Sequence, residues 1–133
     1  MPNFISLLKK LFKKEKHKKQ LNDNEIHNKI GQLLFNIAPE DAKIVIMKVE
    51  LSQENDHCKY KYNYINKFDD ALWFTGGKAN SEMLNLLVEL KQYTIDNNLT
   101  NGHPIWVGCI VTIDIEKSKI NIEFKYEPFI DEE

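Results

Sequence analysis

The stretch Pro104–Tyr126, PIWVGCIVTIDIEKSKINIEFKY, decides the fold class. Apolar side chains recur at every second position in two runs, on either side of the polar break Glu116–Lys119. The alternating positions are Val107, Cys109, Val111 and Ile113 in the first run and Ile120, Ile122, Phe124 and Tyr126 in the second. Because successive side chains leave a strand on opposite faces, this period of two predicts a half-buried antiparallel hairpin. The stretch contains no evident catalytic group, which favours a binding function over catalysis.

Three more strands are predicted upstream of the hairpin, at Lys43–Leu51, His57–Ile65 and Ala71–Thr75. In the second of them, Cys58 and three tyrosines alternate strictly with polar residues, so the tyrosine rings are expected in the core with their hydroxyls at its rim. Short polar turns separate these strands, and such turns are typical of antiparallel neighbours.

Two amphipathic helices complete the pattern. The polar run Asn22–Asn24 offers an N-cap for the first helix, and Pro39 ends it. The second helix is expected to take Asn80 or Ser81 as its cap. Their apolar stripes are Ile26, Ile30, Leu33, Leu34 and Ile37, and Met83, Leu86, Leu87, Leu90 with Tyr93 or Thr94. We therefore expect one α+β domain over residues 21–133, in the order α-β-β-β-α-β-β, with both helices on one face of an antiparallel sheet of about five strands.

The net charge of −2 hides two regions of opposite sign. Residues 1–20 hold seven lysines and one glutamate, which leaves 11 lysines against 19 acids in residues 21–133. The chain has no arginine, the residue best suited to bidentate recognition of phosphates and bases. An acidic domain without arginine argues against direct binding of nucleic acid and favours a basic protein partner.

The N-terminal segment 1–20, MPNFISLLKKLFKKEKHKKQ, has the composition of an interfacial amphipathic helix. Its membrane-contact candidates within residues 1–16 are Phe4, Leu8, Leu11 and Phe12 with Lys9 and Lys13, which suit an anionic membrane surface. A solvated extension, or a helix packed on its own domain or on a partner, explains the same pattern. No apolar run approaches the roughly 18 residues that span a bilayer, and this segment has no small-residue cleavage site of a secretory signal. The expected location is the cytoplasm, with peripheral attachment to the inner membrane as an option.

The residues that could carry chemistry are scattered. The four histidines, His17, His27, His57 and His103, lie in different predicted elements, and adjacent His57 and Cys58 would point to opposite faces of a strand. We therefore predict no metal, no cofactor and no catalytic residue. Cys58 and Cys109 are expected to be small buried side chains, although a disulfide between them stays open. A small enzyme with a carboxylate or Cys–His site is the least favoured alternative.

The candidate partner-binding residues are acids at turns and at the C-terminus, with large aromatics beside them. The acids are Asp69, Asp70, Asp114, Glu116, Glu127 and Asp131, and the aromatics are Trp73, Trp106 and Phe129. A field of carboxylates steers a basic partner, and tryptophan is enriched among the residues that dominate binding energy. Each aromatic is also a candidate for the core, so its assignment stays open.

Four short motifs resemble the YezG-like family of bacterial immunity proteins over about residues 24–130. They are Pro39-Glu40, Tyr60-Lys61-Tyr62, Pro104-Ile105-Trp106 and Phe124-Lys125-Tyr126-Glu127. The resemblance implies a small cytosolic antitoxin without enzymatic activity, which binds a cognate secreted or contact-delivered toxin domain, often a nuclease, and occludes its active surface. The alternative function is a peripheral membrane adaptor that uses the basic N-terminal segment.

Overall fold

The computed structural model describes residues 21–130 and has the expected α+β architecture. Helix α1 spans Asp23–Ile37 and helix α2 spans Ala79–Asp96. The strands are β1 (Ala42–Leu51), β2 (Cys58–Asn66), β3 (Ala71–Phe74), β4 (Gly108–Asp114) and β5 (Lys119–Lys125). This confirms the order α-β-β-β-α-β-β. The predicted N-terminal helix, with its membrane-contact candidates, lies outside the described residues.

The five strands form one open antiparallel sheet in the order β3-β2-β1-β4-β5. The central strand β1 pairs with β2 on one side and with β4 on the other, so Val49 lies opposite both Tyr60 and Cys109. Cys58 and Cys109 are free thiols. Because β1 separates their strands, they lie about 10 Å apart or more, beyond the roughly 7 Å limit between the Cα atoms of a disulfide.

Both helices cover the same face of the sheet and share one hydrophobic core with it. The helices contribute Ile26, Ile30, Leu34, Met83, Leu86, Leu87 and Leu90 to this core, all of them on the predicted stripes. The strands contribute alternate positions, which include Val45, Met47, Val49, Cys109 and Val111. The two periodicities, 3.6 and 2, therefore placed the core correctly. The opposite face has none of the described helices over it.

The two helices begin differently. In α1 the Asn22 side chain accepts a hydrogen bond from the Glu25 backbone N–H at 2.8 Å. The Glu25 carboxylate in turn accepts from the Asn22 backbone N–H, so the predicted cap is confirmed as a capping box. In α2 the predicted cap is wrong, since the helix begins at Ala79 and its cap position, Lys78, makes no side-chain bond. Asn80 instead lies inside the first turn and serves β2. Its side-chain oxygen accepts from the Tyr62 hydroxyl, and its backbone carbonyl from the Tyr60 hydroxyl, both at 2.7 Å.

The closing hairpin is confirmed, and its two alternating runs pair with each other, with Cys109 opposite Phe124 and Val111 opposite Ile122. Its turn is closed by the Asp114 carboxylate, which accepts from the Lys117 backbone N–H, and by Ser118 at φ 52°. The outer strand β5 is only partly covered. Ile120 in this strand is 41% exposed, and Tyr126, which directly follows the strand, is 58% exposed.

Candidate functional site

Three of the predicted acidic residues meet at one end of the sheet. Antiparallel pairing brings the start of β1 together with the ends of β2 and β4. There the Lys43 ammonium group pairs with the Asp69 carboxylate. The pKa of Lys43 is raised, first by this hydrogen bond and further by the negative charges of Glu116 and Asp114. The fold thus collects Asp69, Asp114 and Glu116 around one lysine, although they are far apart in sequence.

The turn between β2 and β3 is organised by Asn66, which is only 5% exposed. Its side-chain oxygen accepts from the backbone N–H groups of Phe68 and Asp70, both at 2.9 Å, and its amide donates to the Asp70 carboxylate at 3.3 Å. Asp69 takes a left-handed conformation at φ 66°. These bonds fix the turn so that the Phe68 ring projects into solvent with 81% of its surface exposed.

Trp73 lies on the neighbouring edge strand, β3, which pairs with β2 on one side only. It stands opposite Asn63, on the face away from the helices, and is 74% exposed. The next residue, Phe74, points the other way and packs against the rings of Tyr62 and Tyr64, with centroids 5.2 and 5.8 Å apart. Because Phe74 anchors the strand, the Trp73 ring is displayed from a fixed backbone.

Together these residues form a surface that we call the acidic–aromatic edge: Phe68, Asp69, Asp70 and Trp73. An open groove of about 590 Å³ adjoins it, between Trp73 and the start of α2. Burial raises the pKa of the Tyr60 and Tyr62 hydroxyls at the groove wall, so both stay protonated and keep their bonds to Asn80. Sequence reasoning identified every member of the edge except Phe68. The only signal for Phe68 was a large apolar residue inside a polar turn.

The remaining candidates lie elsewhere. Trp106 is 3% exposed and packs on Phe124 with ring centroids 5.1 Å apart, so its prediction as an exposed anchor is corrected to a core assignment. Glu127 and Phe129 follow β5 at the opposite end of the sheet from Asp69. There the Phe129 backbone N–H donates to the Glu50 carboxylate at 2.9 Å, and its half-buried ring covers Gly108. Asp131 lies outside the described residues.

The structure also contains a pocket that sequence reasoning missed. We call it the Trp106 pocket; its volume is about 510 Å³, and its lining includes Asp23, His27, His103, Trp106, Phe124 and Tyr126. His27 and His103, which looked scattered along the chain, line the same cavity because the loop after α2 returns past α1. Burial lowers the pKa of His27, against a smaller opposing effect of the Asp23 charge. Near neutral pH this imidazole is therefore uncharged.

Two other classes of site are absent from residues 21–130. They contain no group of three or more His, Cys, Asp or Glu side chains arranged to hold a metal ion. None of the helices described is long and apolar enough to cross a bilayer. Comparison of the chain with protein-family models and with curated proteins finds no match. The acidic–aromatic edge and the Trp106 pocket are therefore the candidate sites among the described residues.

Proposed function

We propose that this chain is an immunity protein of the YezG-like type, which acts in the cytoplasm on a cognate toxin domain. It binds a basic protein, with a nuclease as the favoured class, and occludes the toxin's active surface without covalent chemistry. The contact surface in this proposal is the acidic–aromatic edge.

The observation that carries the proposal is the exposure of two aromatic rings beside two carboxylates. Phe68 and Trp73 are the most exposed large apolar side chains of the described residues, at 81% and 74%. Because both rings are mostly in water, they add little to the stability of this fold. Aromatic rings are enriched at the surfaces where protein partners dock. Asp69 and Asp70 lie between them in sequence and are both exposed.

The edge is also ordered before any partner arrives. The Asn66 hydrogen bonds fix the turn, the Lys43–Asp69 ion pair ties it to β1, and Phe74 anchors β3. A preorganised surface loses less conformational entropy on binding than a flexible one, so more of the contact energy remains as affinity. The free outer side of β3 adds backbone donors and acceptors to the same surface, among the residues described.

The charge of the domain fits a basic partner. Residues 21–133 carry 11 lysines against 19 acids. A nuclease presents a positive surface to phosphates, and an acidic protein complements such a surface directly. Carboxylates at the edge are expected to raise the association rate more than they slow dissociation.

The decisive experiment is co-expression of the full chain with the product of the adjacent upstream gene, followed by capture and measurement of the dissociation constant. Trp73→Ala is expected to weaken binding about 30-fold or more, as for a residue contributing about 2 kcal/mol, and Phe68→Ala to weaken it further in combination. Phe35→Ala is the matched control, because Phe35 is another exposed phenylalanine, at 50%, but lies on α1. The proposal fails if the neighbouring product is no toxin and no partner is captured.

The assignment of the surface is tested separately by charge reversal. Asp69→Lys/Asp70→Lys is expected to slow association about tenfold or more at low salt, with a smaller effect at high salt. Glu54→Lys/Asp96→Lys makes the same change in net charge at exposed positions away from the edge. If both double charge reversals slow association equally, and Phe68→Ala/Trp73→Ala still binds normally, the toxin binds elsewhere than at this edge.

A second proposal concerns residues 1–20, which lie outside the described part. Their basic amphipathic composition supports attachment of the domain to an anionic membrane surface. The full chain is then expected to co-sediment with phosphatidylserine vesicles at low salt and to be released by high salt. Equal vesicle binding by a chain lacking residues 1–19 would remove this proposal and leave the toxin proposal untouched.

A further inference from the structure

The Trp106 pocket is formed by three parts of the fold that meet only in the folded chain. Helix α1 supplies Asp23 and His27, the loop after α2 supplies Trp106, and the end of β5 supplies Phe124 with Tyr126 directly after it. Its volume of about 510 Å³ lies within the range of about 300–1,000 Å³ that is typical of small-molecule sites. None of the residues of the acidic–aromatic edge lines it, so it is a separate candidate site.

The lining of this pocket includes one carboxylate and no lysine. The carboxylate belongs to Asp23, which is partly buried at the first position of α1. It accepts a hydrogen bond from the Asn24 backbone N–H at 2.9 Å and forms no ion pair among residues 21–130. The partial positive charge of the helix N-terminus offsets only part of its negative charge. With the two histidines of the lining neutral, the pocket is therefore negatively charged.

A row of aromatic rings lies beside this carboxylate. Burial lowers the pKa of His27 and the Asp23 charge opposes this effect, since the two residues are one helical turn apart on α1. The His27 ring lies 6.3 Å from the ring of Phe124, which in turn lies 5.1 Å from that of Trp106. Tyr126, which is 58% exposed, adds a further ring to the lining. The fold thus places one negative charge and several rings around a single cavity.

A carboxylate beside aromatic rings attracts a cation in two ways. The negative face of a ring attracts a cation within about 6 Å, and the carboxylate adds a direct attraction between opposite charges. The same charge repels an anion, and a neutral molecule gains nothing from it. The lining also contains the apolar residues Leu90, Leu99 and Pro104. A cation that carries methyl groups suits such a surface better than a bare ammonium group, which is strongly hydrated.

We propose that the Trp106 pocket binds a small organic cation with a methylated ammonium group, which lies against the aromatic rings and takes Asp23 as its counter-ion. This site is distinct from the toxin-binding edge and does not depend on it. Choline is the probe. Dimethylbutanol has the same shape but carries a tert-butyl group in place of the trimethylammonium group, so it lacks the charge. Ethanolamine keeps the charge and lacks the methyl groups.

The test is a titration of the ¹⁵N-labelled full chain, followed through its assigned backbone amides in ¹H–¹⁵N correlation spectra. Choline is expected to shift the amides of the pocket, such as those of Trp106 and Phe124, with a dissociation constant of about 1 mM or below. The amides of Asp69 and Trp73 are the internal control, because the acidic–aromatic edge also combines carboxylates with exposed rings but lies outside the pocket. Dimethylbutanol and ethanolamine are expected to bind about tenfold more weakly or not at all.

Three variants test the contacts with the cation. Asp23→Asn removes the charge at almost constant size and is expected to weaken choline binding about tenfold, without weakening that of dimethylbutanol. Glu40→Gln is the matched control, because it removes an exposed carboxylate beyond the other end of α1 and should leave choline binding unchanged. Tyr126→Leu replaces one exposed ring by an aliphatic side chain and should weaken choline binding about threefold. The same spectra report whether each variant is folded.

Trimethylammonium groups occur both in free small molecules and in lipid headgroups. Co-sedimentation of the full chain with phosphatidylcholine vesicles that is lost in Asp23→Asn would assign the site to headgroups, and choline binding without co-sedimentation would assign it to free molecules. The proposal is overturned if choline leaves the pocket amides in place or shifts those of the acidic–aromatic edge equally. It is also overturned if dimethylbutanol binds as tightly as choline, or if Asp23→Asn and Glu40→Gln bind choline equally well.

Discussion

Trp73 and Trp106 occupy opposite extremes of exposure, 74% against 3%, although both are large aromatics close to the start of a strand. Trp73 stands on an edge strand, on the face of the sheet away from the helices. Trp106 lies just before β4, where the loop after α2 and the ring of Phe124 enclose it. The difference comes from what the rest of the chain places over each ring.

This contrast separates two kinds of recognition. The region of Trp73 offers ring surface and carboxylates to a partner large enough to cover it, which suits a protein. The region of Trp106 encloses a pocket of about 510 Å³, a volume typical of small-molecule sites. An exposed tryptophan and a buried one thus point to different partners on one small domain.

The largest expected effect is on stability. Trp106→Ala should lower the free energy of unfolding by about 3–5 kcal/mol, because it removes a buried ring and leaves a cavity. Trp73→Ala should change it by about 0.5 kcal/mol or less, because its ring is mostly in water already. Urea denaturation of the two variants beside the wild type measures both. A large loss of unfolding free energy in Trp73→Ala would mean that the Trp73 ring stabilises the fold, and would contradict its assignment to partner binding.

Local patterns in the sequence were sufficient for the elements and for the core. Alternation placed β1 at 43–51, against the observed Ala42–Leu51, and the helical stripes identified the buried residues of α1 and α2. A cap for α1 within Asn22–Asn24 was also predictable, because a capping side chain and the backbone N–H that it binds lie within one helical turn. Each of these features depends on residues that are close in sequence.

The candidate site was only partly predictable, for the converse reason. The burial of Trp106 and the approach of His27 to His103 depend on how the loop after α2 folds over α1, which no local period encodes. The exposure of Phe68 depends on hydrogen bonds from Asn66. The assignment of Asn80 as a cap was wrong because Tyr62, 18 positions earlier, competes for its side-chain oxygen.

A smaller loss of stability should follow from removing the support behind Trp73. Asn80→Ala leaves the hydroxyl of Tyr62, a residue only 4% exposed, without its acceptor, and should cost about 1–3 kcal/mol. Ser81→Ala, at the exposed neighbouring position, is the control. In the double variant Asn80→Ala/Tyr62→Phe both polar partners are gone, so the two losses should be less than additive. Strict additivity would show that the bond contributes nothing to the groove wall.

A change of pH should act on the Trp106 pocket through His27. Since burial lowers the pKa of His27 below its ordinary 6.5, the unfolded chain binds this proton more readily than the native one. The stability that comes from neutral His27 is present above pH 6.5 and is lost as the pH falls below it. His27→Gln should therefore flatten the decline of the melting temperature between about pH 7.5 and 5.5. An unchanged decline in His27→Gln would contradict the burial of this imidazole.

The two cysteines also differ in burial, and here the expected effect is the smallest. It is a difference in the rate of thiol modification and not in stability. Burial raises the pKa of Cys58 on β2 to about 11 and that of Cys109 on β4 to about 12. At pH 8 only about 0.1% of Cys58 is then thiolate, the reactive form, and less of Cys109. Ellman's reagent should modify Cys58, which is half-buried, far more slowly than free cysteine, and Cys109, at 0% exposure, only after global unfolding. Cys58→Ser and Cys109→Ser each isolate one thiol. Rapid modification of Cys109 in the folded chain would show that the core beside Trp106 opens locally. The regions of Trp73 and Trp106 would then differ in their dynamics as well as in their burial.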